Sequence, residues 1–160
     1  MFAYRVGILQ AQILDKQSQL QHLTANRTLE LEERKLRADL FDKRMEVYTA
    51  TQAFIGVILA EGEPPSYART GSDEEMARQF RITREFTVAI DRSQFLFGQH
   101  VEAELRQLWT NANDLHYHNV QHANDRPDDE EDHAQKARDL IKGFLTYDLN
   151  ALMGDKLNIH

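Results

Sequence analysis

Apolar residues recur at helical spacing along most of the chain, and two short polar stretches interrupt them. Pro64 and Pro65 lie in the first, Glu61 to Gly71, and Pro127 lies in the second, Asn124 to Asp129. Proline lacks the N–H that a helix interior needs, so both stretches are expected to be loops. The first helical segment is then predicted from about Ala3 to Leu59. In its second half Leu36, Leu40, Val47, Tyr48, Thr51, Phe54, Ile55 and Ile58 fall near one face, the pattern of a core-facing helix. Its first half is different. Gln10-Ala11-Gln12-Ile13 returns seven residues later as Gln17-Ser18-Gln19-Leu20. Leu9, Ile13, Leu20 and Leu23 form a narrow apolar seam in this Gln-rich helix, and such a seam wants a facing helix. Carried on, the register puts Arg27 and Arg34 in the seam, while Leu29, Leu36 and Leu40 follow a shifted one. The slip, near Asn26 to Thr28, locally changes supercoiling. An N-terminal helical extension over residues 1–35 is therefore expected before a body over residues 36–160.

Ser72-Asp73-Glu74-Glu75 is a capping box and predicts the start of a second helix. Met76, Phe80, Thr83, Thr87 and Ile90 supply its expected inner face, and Gly98 its stop. A third helix is predicted from about His100 to Ala123, with Val101, Leu105, Leu108, Trp109, Ala112 and Leu115 buried. A fourth is predicted from near Asp129, with Ala137, Leu140, Ile141, Phe144, Leu145 and Leu152 inside and Gly154 as its end. No segment reads as a strand. The expected fold is all-α: a long, coiled-coil-like N-terminal helix continuing into an antiparallel four-helix bundle.

Composition narrows the functional classes. A net charge of −7 disfavours binding to nucleic acid or to anionic lipid. The absence of cysteine removes disulfides, thiolate metal sites and cysteine nucleophiles, and fits a reducing compartment. The apolar run from Phe2 to Leu14 contains Arg5, Gln10 and Gln12, which suits neither a membrane span nor a signal peptide.

Three stretches carry a resemblance: KLRADLFDKRMEVY (Lys35 to Tyr48), FLFG (Phe95 to Gly98) and VEAELRQLW (Val101 to Trp109). Together they resemble a group of small bacterial proteins of unknown function, over most of residues 8–153. The resemblance implies a helical protein in which a Gln-rich heptad segment precedes a helical body. Many of those proteins carry an N-terminal membrane helix, which this chain lacks. The chain thus reads either as a member without that helix or as starting downstream of an anchor. The resemblance implies no catalytic residues.

Candidate chemistry is sparse. Asp114, His118 and His122 lie one turn apart on the third helix, a spacing that could share a divalent metal, although a polar outer face is the simpler reading of it. Glu130-x-x-His133 has the spacing of bundle di-iron sites, yet occurs once where such sites need it twice. The charge run Asp128 to Asp132 suits a helix N-terminus. Arg44 lies close to the expected inner face. There it would need a carboxylate such as Glu85 or Asp91, or would become an anion site if it met a cavity. The aromatic residues read as packing, except that Phe86, off the main stripe, could mark a subunit contact. There is no glycine-rich phosphate loop, Gly-x-Ser-x-Gly elbow or zinc-protease motif. No cofactor and no catalytic residue are expected.

The leading expectation is a non-enzymatic interaction protein, cytoplasmic or at the inner face of the membrane. It would form a homo-oligomer or pack on a partner helix through Leu9, Ile13, Leu20 and Leu23. The alternatives are a membrane-associated accessory protein whose anchor lies outside this chain, and a metal-binding helical bundle using His118, His122 and Asp114.

Overall fold

The computed structural model describes residues 2–65, 72–124 and 130–157, with side chains described over 14–65, 72–123 and 132–157. Every regular element among them is a helix: α1 (Phe2–Glu61), α2 (Asp73–Leu96), α3 (Gln99–Asn124), α4 (Glu130–Leu145) and α5 (Leu149–Leu157). The chain divides into two compact units, Met1–Leu40 and Phe41–His160, so the division falls inside α1.

The helix boundaries follow local chemistry. Ser72 caps α2, its Oγ accepting the Glu75 N–H at 3.3 Å. Asp73, Glu74 and Glu75 then occupy the first turn, where the helix dipole favours negative charge. At the other end Gly98 takes φ +104° and donates its N–H to the Gln94 and Ser93 carbonyls at 3.0 and 3.2 Å. That left-handed geometry is the one glycine adopts without a Cβ penalty.

The expected fourth helix is two helices. α4 ends at Leu145, and α5 starts behind Asp148, whose Oδ1 accepts the Ala151 N–H at 2.9 Å. Thr146 turns its hydroxyl back to the Lys142 and Gly143 carbonyls at 3.1 and 3.2 Å. Gly154 lies inside α5 and stops nothing.

The second unit is organised around aromatic packing. Phe54 of α1 stacks on Phe86 of α2 with centroids 4.0 Å apart and planes at 12°. Trp109 of α3 lies 5.8 Å from Phe54 and 6.3 Å from Phe86. Pairings on either side fix the helix directions. Glu46–Arg92 at 2.8 Å, the Phe54–Phe86 stack and Glu61–Gln79 at 2.8 Å run oppositely along α1 and α2, which are antiparallel. Phe86–Trp109 and Asp91–Arg106 do the same for α2 and α3. Tyr48–Asn150 at 3.0 Å and Arg44–Lys156 at 2.8 Å show α5 returning antiparallel along α1. α4 packs on α3.

The α3 stripe is as expected: Val101, Leu105, Leu108, Ala112 and Leu115 are buried and Trp109 is half-buried. On α1, Val47, Thr51, Phe54, Ile55 and Ile58 are buried, whereas Leu36 and Leu40, expected on the same face, are exposed and belong to the first unit. The α2 stripe needs a larger correction. Met76 and Phe80 are exposed, Phe80 by 71%, and the buried face is Gln79, Ile82, Phe86, Ala89, Ile90 and Ser93. Two polar residues inside that face disguise it. Gln79 is satisfied by the Glu61 carboxylate at 2.8 Å, and Ser93 by the Ile90 carbonyl at 2.6 Å. Phe86, read from sequence as a possible subunit contact, is fully buried. Leu145, expected inside, is exposed.

This register predicts the outcome of two substitutions. Phe86→Ala should lower the free energy of unfolding by about 3–5 kcal/mol. Phe80→Ala should change it by no more than about 0.5 kcal/mol. Urea denaturation of both variants followed by circular dichroism checks the pair. The reverse order would mean that the sequence-derived stripe is the buried one.

Candidate functional site

The first candidate surface lies within the first unit. Every described residue of Leu14 to Leu40 is exposed. Leu14, Leu20, Leu23, Leu29, Leu31 and Leu36 are each between 58% and 70% exposed. At 3.6 residues per turn, Leu20, Leu23 and Leu31 share one side of the helix, and Leu14, Leu29, Leu36 and Leu40 share the other. Leucines therefore occupy both sides of the helix before and after the register slip seen in sequence. Polar contacts here include local pairs such as Gln19 to Asp15 at 3.0 Å and Arg37 to Glu33 at 3.6 Å. Pairs of that kind contribute a few tenths of a kcal/mol, roughly 0.2–0.5 each. The side chains of Leu9 and Ile13 lie outside the described residues.

The second is an open cleft of about 830 Å³ between the second-unit part of α1 and α2. Its floor is small and apolar, with Val47, Ala50, Ala53 and Ala89 among the lining residues. Its rims carry Asp42, Glu46 and Glu85 together with Arg81, Arg84 and Arg92. Arg92 bonds Glu46 at 2.8 Å, so part of this charge is already paired. The cleft exists because alanine side chains end at Cβ while the rim side chains extend past them.

Arg44 is half-buried, and its partners are carbonyls rather than the Glu85 or Asp91 carboxylates expected. Its Nε donates to Leu96 O at 3.0 Å and its Nη1 to Lys156 O at 2.8 Å. Its guanidinium carbon lies 5.9 Å from the centre of the Phe97 ring. Leu96 ends α2 and Lys156 lies in the last turn of α5. Both carbonyls are groups a helix end leaves without an internal partner, and both sit at negative dipole ends. One cation therefore serves two helix termini. Asp91 instead lies 3.8 Å from Arg106, and Glu85 lines the cleft.

The histidines are arranged differently from their spacing along α3. Asp114 and His122 are exposed, whereas His118 is half-buried and faces α4. Its Nδ1 lies 2.9 Å from Nδ1 of His133. Tyr117 is edge-on to both rings, with centroids 5.3 and 6.1 Å away. Among the described residues no group of three His, Asp or Glu is arranged to hold a metal. The Glu130 side chain lies outside the described residues. Sequence reasoning considered His118 and His133 separately. The short α3–α4 connection, which brings adjacent helix ends together, was the signal that could have joined them.

Two other polar groups are perturbed by their surroundings. The Asp132 carboxyl is held below its usual range, chiefly by its hydrogen bond from Lys136 at 2.6 Å. Burial pushes the Tyr147 phenol up to about 12, with the charge of Glu104 adding to the effect. The Tyr147 hydroxyl has no hydrogen-bond partner among the described residues.

Compared with protein-family profiles, curated proteins and solved structures, the chain matches none. Among the described residues, no helix is long and apolar enough to cross a membrane.

Two predictions follow from the polar contacts. Arg44→Ala should destabilise the fold by about 2 kcal/mol, the scale of lost charge-assisted hydrogen bonds. It should also raise amide exchange in α5, and Arg44→Lys should restore little, because an ammonium lacks the fork that spans two acceptors. Hydrogen exchange read by mass spectrometry with a denaturation curve checks this. A protected α5 in Arg44→Ala would contradict it. The folded-state value of Tyr147 lies above its ordinary 10.0. Its contribution is therefore intact below pH 10 and lost as pH rises through about 12. Tyr147→Phe should leave stability at pH 7 unchanged or raised and should weaken that alkaline loss, as measured by thermal melting against pH.

Proposed function

We propose that this chain is a non-enzymatic helical interaction protein that self-associates through the N-terminal part of α1. The reading rests on one observation above the rest: a long helical stretch, Leu14 to Leu40, whose leucines are all exposed in the single chain. A lone helix in water draws most of its stability from packing its apolar face, and contiguous exposed apolar surface marks contact sites. The seven-residue Gln-x-Gln repeat and its seam suit a parallel pairing of like helices. Leucines on both sides of the helix allow one side to serve another copy and leave the other side for a different partner. In this reading the second unit, with its cleft, is what the assembly displays.

Light scattering behind size exclusion tests the proposal on the full chain and on Leu20→Asp/Leu23→Asp. The full chain should run as a multiple of 18.6 kDa. The double variant should fall to one chain while keeping the helical content and melting of the second unit. A full chain that stays at a single-chain mass at about 50 µM, where mass action favours assembly, would overturn the reading.

A further inference from the structure

We propose that His118 and His133 form a divalent transition-metal site that pins the first turn of α4 to α3. The two rings come from different helices and present Nδ1 to Nδ1 at 2.9 Å. At that distance only one of the two nitrogens can carry its hydrogen toward the other, so either a shared proton or a metal ion joins them. Metal–imidazole bonds of about 2.0–2.1 Å place two cis nitrogens roughly 2.9–3.4 Å apart, from right-angled to tetrahedral geometry. The pair therefore already stands at the near end of the required bite and needs at most a few tenths of an ångström of opening.

The surroundings favour the same assignment. Both histidines are half-buried, and the Tyr117 ring stands at 68° and 75° to their planes. The Asp132 carboxylate acts on both rings through space, while its direct partner is the Lys136 ammonium at 2.6 Å. Two imidazoles select a borderline ion such as zinc, nickel or copper(II) over magnesium and calcium, which prefer oxygen ligands. Water completes the coordination. The site differs from the within-helix set of His118, His122 and Asp114. It links two helices, and His122 and Asp114 stay exposed outside it.

Calorimetric titration of the untagged full chain with zinc, alongside nitrogen-15 spectra of the histidine rings, tests the assignment. One zinc per chain is expected, with Nδ1 of both His118 and His133 moving to metal-bound shifts. His118→Gln and His133→Gln should each weaken zinc binding by at least about tenfold. His122→Gln should leave it within twofold. The wild-type spectra decide the point even if a glutamine variant loses α4 packing. Absence of stoichiometric zinc, or binding that survives His133→Gln, would overturn the proposal. So would a nitrogen–nitrogen coupling through a shared proton that persists at excess zinc, which would make the pair an imidazole–imidazole hydrogen bond.

Discussion

Phe54 against Phe86, with Trp109 tilted over both, is the contact that sets the register of three helices at once. A stacked aromatic pair adds roughly 0.5–1.5 kcal/mol beyond the burial of its surface. Its larger effect here is geometric. With Phe54 opposite Phe86, Glu46 falls opposite Arg92 and Glu61 opposite Gln79, and each pair meets at 2.8 Å. Slipping α1 by one turn would break both pairs and strand Gln79 in the core without its acceptor. The cleft is a consequence of the same register. The rings hold α1 and α2 in place, and Ala50, Ala53 and Ala89 are too small to fill the space on their outer side.

The short helix α5 depends on that frame. Nine residues are too few to hold a helix in water on their own. Leu149 and Met153 are buried in the common core, Tyr48 bonds Asn150, and Arg44 takes the Lys156 carbonyl while also closing the end of α2. A single α1 side chain thereby joins the second helix to the last. Among the described residues the buried face of α1 starts at Val47, and the leucines from Leu14 to Leu40 are exposed in their own unit. One helix thus contributes a buried core face from Val47 onward and exposed leucines over residues 14–40.

Much of this was legible in the residues. The caps at Ser72 and Gly98, the α3 stripe and the later half of the α1 stripe are local or periodic signals, and local physics decides them. The α2 face was not legible, because Gln79 and Ser93 look polar until the acceptors that satisfy them are known. The break at Asp148 was hidden because Leu152 continues the apolar period across it. Leu36 and Leu40 keep the body's spacing while belonging to the first unit, since periodicity reports an apolar face and not what covers it. Arg44 was expected to need a carboxylate or an anion, but its partners are backbone carbonyls, which carry no signature in sequence. The His118–His133 pair depends on adjacency across a loop, and single-helix spacing pointed to His122 instead.

The central claim is that the leucine-bearing part of α1 is covered by another copy of itself. Hydrogen exchange of the full chain, read by mass spectrometry across a range of protein concentrations, tests it most directly. The account predicts that amides of residues 14–40 gain protection as concentration rises, while those around Phe54 and Phe86 hold constant protection throughout. Exchange of residues 14–40 that is equally fast at every concentration would contradict it.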